Sequence, residues 1–561
     1  MNDAPSAQLK AFALALAGEL ERKPDANIEA LKNKLAPKFK IAGVPKNAAI
    51  LSALPAASRT PQIVRLLRTR LTRTASGVTP VAVMPMPFPC VGRCTYCPTA
   101  TKDEIGPDGI SRTIMFAPKA YTGFEPATRR AIQNGYDAAK QISVRLSQYE
   151  ALGQPTQKCE LILMGGTFLS VPVDYQNKFV HECYDAFNES VEPSASLASA
   201  HKTNESSLHR VIGLTVETRP DWCTDAHVER MLEWGATRVE LGVQSLDDAI
   251  LKKVQRGHDT ACTALTTARL KDAAFKVGYH FMPGLYASHA QDVSMMRRLF
   301  TDSRFCPDML KLYPCLVMPG TVLHDEWKAG RFVPLETDEA VSRIAEAASY
   351  FPPWVRVMRM QRDIPVDKIA AGVKSGHLHD LVTKAMDEAG TKCSCIRCRE
   401  VFSSQRKEAN KKTKTGSRAQ KQKPAALSLE LVSREYAASG GVEHFISFED
   451  VEQDLLAGFI RLRLPPPHSK HRPEITSTTA LIRELHVYGQ EVEIEATKAE
   501  PSASNLLVQH HGLGKALLTR AEEIAADAGR DKLVIISGVG VRPYYAKLGY
   551  VRDGPYMSKK I

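Results

Sequence analysis

In the stretch Phe88-Pro89-Cys90-Val91-Gly92-Arg93-Cys94-Thr95-Tyr96-Cys97-Pro98, three cysteines stand with three and then two residues between them. Three thiolates on one short loop can grip three irons of a cubane cluster and leave the fourth iron open to an exchangeable ligand. A zinc knuckle is the competing reading, and it needs a fourth ligand at matching spacing. Outward from this loop, short apolar runs recur at 81–84, 161–164, 211–216, 238–243, 277–282, 309–313 and 355–360, with helical patterns between them. Such alternation specifies a parallel sheet, and the number of units favours a complete or partial β/α barrel over an open doubly wound sheet. Barrel chemistry sits at strand C-termini. Cys90, then Gly165 and Gly166, then Glu217, then Gln244 follow the first four runs in that order.

Composition sets the frame for this loop. The chain has 561 residues, 43% of them apolar and 24% charged, which suits three or four globular domains. No apolar run approaches the ~20 residues that span a bilayer, and the N-terminus lacks a basic segment before a hydrophobic one, so a soluble, cytoplasmic protein without membrane contact is expected. Of twelve cysteines, six fall in two clusters, which point to metal or cluster ligation in a reducing compartment, and the other six are isolated and read as core residues. The formal charge of +12 is unevenly placed: residues 30–102 contain no Asp or Glu but twelve Lys and Arg. Ile63, Leu66, Leu67 and Leu71 recur at helical spacing among these arginines. A folded basic helix that binds a polyanion, nucleic acid first, is the reading; a solvated tail is the alternative.

Four regions follow: a basic helical N-terminal region over 1–75, a barrel over 76–365, a cysteine-bearing segment and basic linker over 366–425, and a second α/β unit over 426–561. The linker proper is the polar, basic, aperiodic run 399–424. Residues 192–207 and 465–479 read as surface loops, and the last unit reads as helix, strands, one long helix, strand and a tyrosine-rich end.

Two more constellations carry chemistry. Gln509-His510-His511-Gly512-Leu513-Gly514-Lys515 opens a helix expected over 513–528 and points backbone N–H groups at a pyrophosphate. Cys393-x-Cys395-x2-Cys398 is a plausible structural zinc site, closed by a fourth ligand for which His377 and His379 are candidates; free loop cysteines are the alternative.

The Cys90, Cys94, Cys97 loop resembles the signature of the radical S-adenosylmethionine (SAM) enzymes, in which the open iron chelates the cofactor and one electron cleaves it to a 5′-deoxyadenosyl radical. That resemblance implies cofactor contacts at Gly165, Gly166, Glu217, Gln244 and Arg256. The 509–515 loop, after 481–487 and before 532–537, resembles the Gcn5-related N-acetyltransferase (GNAT) fold, whose ligand is acetyl-CoA. There Tyr544 or Tyr545 falls where a tyrosine protonates the departing thiolate, with core packing as the alternative for the pair. Together with Tyr121-Thr122-Gly123-Phe124-Glu125-Pro126, Pro352-Pro353-Trp354 and Gly554-Pro555-Tyr556-Met557, these motifs resemble the family of Elongator catalytic subunits from about Pro80 onward. The resemblance implies a radical SAM partial barrel followed by a GNAT domain that converts the wobble uridine of transfer RNA to 5-carboxymethyluridine. It further implies an iron–sulfur cluster, SAM, acetyl-CoA, the anticodon stem-loop as RNA partner and an external electron donor. By residue match, acetyl-CoA touches Lys158, Glu484, Leu485, His486, Val487, Gln509, Gly512, Leu513, Gly514, Lys515 and Tyr544. The chain departs from the eukaryotic pattern in its short Cys90–Cys94 spacing, its 399–424 insertion and its three-cysteine cluster, so it is expected to act alone or as a homo-oligomer, without accessory Elongator subunits. A protein lysine acetyltransferase with the barrel as scaffold is the rival reading.

Overall fold

All seven apolar runs are strands in the computed structural model, which describes residues 6–41, 43–67, 77–105, 111–401, 427–467, 472–488 and 512–561. They form β1 (Thr79–Val83) and, after an exposed hairpin of β2 (Thr101–Ile105) and β3 (Ser111–Met115), β4 (Lys158–Leu163), β5 (Arg210–Thr218), β6 (Arg238–Gln244), β7 (Lys276–Phe281), β8 (Met309–Leu312) and β9 (Arg356–Arg359). The sheet order is β1-β4-β5-β6-β7-β8-β9, every neighbouring pair parallel, with β1 and β9 as its two edges. This is an open half-barrel. A parallel sheet covered on both faces reads as continuous apolar sequence, but these strands alternate. Val239, Leu241 and Val243 of β6 are fully buried under the outer helices, whereas Arg238, Glu240, Gly242 and Gln244 line the cavity on the concave face. Cys159, Leu161 and Leu163 against Lys158, Glu160 and Ile162 repeat the pattern in β4. Each buried Val or Leu of the outer face contributes roughly 1.5–3 kcal/mol, and the inner face is left free to carry polar groups.

The C-terminal unit is a second sheet of β10 (Glu430–Ala438), β11 (Gly441–Asp450), β12 (Leu455–Leu464), β13 (Thr479–Val487), β14 (Lys532–Ile535), β15 (Val551–Asp553) and β16 (Tyr556–Lys560), in the order β10-β11-β12-β13-β14-β16-β15. Its pairs are antiparallel except β13 with β14. The helix expected over 513–528 runs Leu513–Asp527.

Several expectations need correction. The last unit opens on a strand, not a helix, because Val432, Arg434, Tyr436 and Ala438 turn inward at every second position. The expected loop over 192–207 contains the helix Leu197–Asn204, started by Ser196 Oγ accepting from Ser199 N at 3.2 Å. The segment after residue 365 is no separate region: Leu378, Val382 and Met386 belong to the barrel core. Arg399, expected in the linker, is buried against Glu449 and Asp454, and Glu400 pairs with Arg356 at 2.7 Å; residues 402–426 lie outside the described residues. The N-terminal region is a unit of helices Ala7–Arg22, Ile28–Leu35, Asn47–Ala53 and Pro61–Leu67 around Phe12, Leu16, Ile50, Ile63 and Leu67. Leu71 and its neighbouring arginines fall outside the described residues, and Lys32 is buried on Glu29 and Asn47 rather than presented to a polyanion.

The C-terminal sheet docks on the N-terminal ends of the barrel strands. Arg461 Nη2 donates to Trp354 O at 2.7 Å, Arg483 Nη1 to Phe275 O at 2.9 Å, and Gly538 lies too close to the Ile212 carbonyl for any side chain. Arg483 also grips Asp308 at 2.6 and 2.7 Å and Glu443 at 2.7 Å, all three fully buried. Burial pushes the Asp308 carboxyl up, but Arg483 and Lys271 outweigh it and hold it well below the usual carboxylate range.

Candidate active site

The cysteine loop follows β1 at the C-terminal end of the half-barrel. Gly92 N donates to Cys90 Sγ at 3.3 Å, and the Cys97 N–H closes a turn on Cys94 O at 3.1 Å. The thiols of Cys94 and Cys97 are hydrogen-bonded to each other, and Arg256 Nη1 donates to Cys94 Sγ at 3.4 Å. The Cys97 bond, aided by Arg256 and Arg219 and opposed by burial, brings Cys94 down to about 4. Arg219 is clamped by Asp221 at 2.9 and 2.6 Å and lies against Gly92 and Gly257, where any side chain would collide with it. Three thiols around one cavity, one of them stabilised as thiolate by its neighbour Cys97 and a buried guanidinium, suit an iron cluster.

Of the expected cofactor residues, Gly166, Glu217, Gln244 and Arg256 line the same cavity, while Gly165 precedes Gly166 in the chain without lining it. Gly165 and Gly166 have φ of +129° and +77°, and a Cβ on Gly166 would stand 2.8 Å from Lys119 O, so both positions require glycine. Gln244 holds φ +70° at the end of β6, a strained backbone for a non-glycine residue inside the site. Arg256 turns to Cys94 and to Gly242 O, the latter at 3.2 Å from Nε. Glu217 accepts from the Tyr121 hydroxyl at 3.0 Å and lies 3.5 Å from Lys311 Nζ. Lys311 also pairs with Glu240, which accepts from His280 at 2.8 Å. Glu217, Glu240 and His280 could together hold a metal ion, but the Lys311 ammonium lies against both carboxylates and supplies the positive charge. Burial raises the Glu240 carboxyl, yet Lys311 and His280 outweigh it and hold it well below the usual range. The sequence pointed to Glu217 but not to Lys311, Glu240 or His280; the alternation of inward positions along β6 to β8 was the available signal.

From the cysteines the cavity, about 1280 Å³, runs through the concavity of the half-barrel past Glu217 and Glu240 to Lys158, and on to Glu484, Leu485, His486 and Tyr544 of the C-terminal unit. There β13 pairs with β14 only over Thr479–Ile482, and β14 ends at Ile535 while β13 continues to Val487, so the two strands part. Gly512 starts the helix Leu513–Asp527 in a left-handed conformation, φ +78°, and Val487 at the end of β13 lies 3.8 Å from a Cβ on Gly514, but Gly512 to Lys515 do not themselves line the cavity. Gly514 sits under Tyr544, whose hydroxyl would stand 3.1 Å from a Cβ there. Lys515 is exposed, Leu513 half-buried, and Gln509 lies outside the described residues. His486 is held between Phe459 and Tyr488, and burial lowers it to about 4. The tyrosine pair divides: Tyr545 is buried in the core against Tyr550, whereas Tyr544 is 41% exposed at the cavity.

Cys393, Cys395 and Cys398 bring their sulfurs within 4.8 Å of one another. Hydrogen bonds from Cys393 and Cys398 hold Cys395 well below the ordinary thiol value, as a metal-binding thiolate requires. The candidate fourth ligands His377 and His379 line the main cavity and are outside that set.

The Radical SAM superfamily model matches residues 85–300, the Radical SAM C-terminal domain 307–388 and the ELP3 N-terminal domain 10–75. The chain is 43% identical to the tRNA uridine(34) acetyltransferase of Methanocaldococcus infernus over 89% of this chain and 88% of that one. It belongs to the Elongator protein 3 family. It is 44% identical to the tRNA uridine(34) acetyltransferase of Dehalococcoides mccartyi, covering 88% of this chain and 99% of that one. With Elongator complex protein 3 of Schizosaccharomyces pombe the identity is 39%, over 95% and 94% of the two chains. Its fold matches the solved archaeal Methanocaldococcus infernus Elp3 with N-terminus deletion (1-46) at a TM-score of 0.71 and 40% identity, covering 87% of this chain and all of that one. The radical SAM part of the Elongator protein 3 family implies SAM and a 4Fe-4S cluster, and the thiols of Cys90, Cys94 and Cys97 fit one. Among the described residues no helix is long and apolar enough to cross a membrane.

Proposed function

We propose that the chain modifies the wobble uridine of transfer RNA, adding a carboxymethyl group drawn from acetyl-CoA to uridine C5. The observation that carries this reading is the single cavity joining the three-cysteine loop at one end of the half-barrel to the parted strands β13 and β14 at the other. The cluster and SAM, once bound, supply a carbon radical able to take hydrogen from an unactivated methyl group. Cys90, Cys94 and Cys97 hold the cluster, the backbone at Gly165 and Gly166 approaches the ammonium of SAM, and Glu217 accepts from its ribose diol. Lys158, Glu484 to Val487, Gly512 to Lys515 and Gln509 hold acetyl-CoA, with its pyrophosphate at the helix N-terminus. The Tyr544 hydroxyl stands where it gives a proton to the departing thiolate. Zinc bound by Cys393, Cys395 and Cys398 fastens the barrel to the C-terminal unit, since Ile396 N bonds Val355 O at 2.9 Å and Glu400 bridges to Leu456. Transfer RNA presents its anticodon loop to the cavity while its backbone meets the basic N-terminal unit. An external donor supplies the electron, and the enzyme works in the cytoplasm without accessory Elongator subunits.

The test is mass analysis of transfer RNA nucleosides after anaerobic incubation with SAM, acetyl-CoA and a reductant. The wild type is expected to form 5-carboxymethyluridine and Cys94→Ala none. A protein lysine acetyltransferase would leave the RNA unmodified and would not need Cys94.

A further inference from the structure

The first residue of β4, β5, β6, β7 and β9 is basic: Lys158, Arg210, Arg238, Lys276 and Arg356. All five line the cavity at the strand N-termini, the end on which the C-terminal unit is docked. Two are neutralised, Arg238 by Glu160 at 2.7 Å and Arg356 by Glu400 at 2.7 Å. Glu484, the carboxylate that β13 contributes here, is taken by Arg461 at 2.8 Å. Around Lys276 this leaves three cations, Lys276, Arg238 and Arg461, facing two carboxylates, Glu160 and Glu484. Neither Lys276 nor Arg210 makes a side-chain hydrogen bond or ion pair among the described residues, and both face the cavity. His486 completes this part of the wall, and its Nε2 is buried without a hydrogen-bond partner among the described residues. Glu160 and Glu484 are each already shared with an arginine, so the Lys276 ammonium is only partly balanced, and burial holds it below the ordinary lysine value. The cost of that burial is offset if an anion forms beside it.

We propose that Lys276 and Arg210 form an oxyanion site for the acyl group. They would bind the thioester carbonyl oxygen as it becomes negative, and then the carboxylate that replaces the thioester. The inference rests on acetyl-CoA being the substrate, as proposed above. In the step concerned, water oxygen bonds to the carbonyl carbon and the carbon–sulfur bond breaks with its electron pair on sulfur. Tyr544 gives a proton to that thiolate and regains one from the water, whose other proton goes to solvent, which leaves a carboxylate and free thiol. The anion is small. CoA phosphates are drawn instead to the helix N-terminus at Gly512, and an RNA phosphate backbone is too bulky to follow its base to the roots of β5 and β7. Cations fixed in advance where charge develops, in a site shielded from bulk water, act on the transition state without reorganising.

Lys276→Met, Arg210→Met and the conservative Lys276→Arg would be made in the full chain carrying its reconstituted cluster. Lys276→Met is expected to bind acetyl-CoA with wild-type affinity by calorimetry and to release 5′-deoxyadenosine normally with transfer RNA present. Thioester hydrolysis should fall about 100-fold, the usual effect of losing one oxyanion donor. Intact RNA would then carry CoA as a covalent adduct visible by mass. Arg210→Met should show the same adduct more weakly, and Lys276→Arg should restore most hydrolysis. Wild-type hydrolysis in Lys276→Met overturns the inference, and so does loss of acetyl-CoA affinity, because an oxyanion forms only after binding. If the wild type itself yields neither adduct nor modified uridine, it is the acetyl-CoA reading that fails.

Discussion

Lys311 stands where a metal ion would otherwise be needed. Its ammonium lies against Glu217 and Glu240, and His280 bonds the second carboxylate. Without it, two carboxylates would face each other in a cavity. Lys311→Met is therefore expected to lower stability, at or below the bottom of the roughly 3–5 kcal/mol range for breaking a buried pair, since its side chain keeps 16% exposure. Denaturant unfolding checks this, and Lys311→Met with Glu240→Gln should recover part of the loss. A double variant no more stable than the single one would show that the carboxylates do not repel. Glu217 was legible from sequence because it ends an apolar run in a recognisable motif. Its partners were not, because Glu240, His280 and Lys311 come from three further strands and meet only when the sheet curls. The tyrosine pair was legible and the family resemblance singled out Tyr544, but the physical reason was not: the short helix Arg542–Ala546 turns Tyr545 into the core and leaves Tyr544 at the cavity.

Among elements, the strand beginning at Arg238 shows what alternation can and cannot tell. Its Val and Leu positions mark it as a barrel strand, but that Arg238, Glu240 and Gln244 between them line a polar lumen is not legible until the second sheet face is known to border a cavity. The edge strand β10 reads as a helix in sequence because its apolar positions are few and Glu430, Arg434 and Glu435 interrupt them on both faces. The element contact that matters most is the docking of β13 on the loop before β8. Asp308 accepts twice from Arg483 and also from Val277 N at 2.8 Å. Asp308→Asn leaves Arg483 and Lys271 without that charge, at a cost of about 3–5 kcal/mol. Calorimetry should then resolve a separate, earlier transition for the C-terminal unit. One endotherm at the wild-type temperature would mean that this network does not join the units.

At the scale of the molecule, one cavity runs the length of the half-barrel between units locked by buried ion pairs, and the proposed function therefore has the acetyl group reach the radical through the lumen rather than by closure of one domain on the other. Stability should depend on pH in a stated direction. Burial holds His201 near 3 and His486 near 4, both below the ~6.5 of an unfolded histidine. As pH falls through ~6.5 the unfolded chain takes up protons that the native chain refuses. The stability these two groups contribute is thus complete above ~6.5 and is lost toward their folded values, at up to about 1.4 kcal/mol per pH unit for each. Denaturation midpoints should fall between about pH 6.5 and 5; a flat profile would mean that both histidines are reached by solvent. The most direct measurement of the central claim is isotope transfer. Acetyl-CoA carrying three deuterons on its methyl group is incubated anaerobically with the cluster-loaded chain, SAM, reductant and transfer RNA, and the released 5′-deoxyadenosine is weighed by mass spectrometry. A lumen joining the two sites predicts 5′-deoxyadenosine carrying one deuteron. Unlabelled 5′-deoxyadenosine, formed while the RNA is modified, would contradict it.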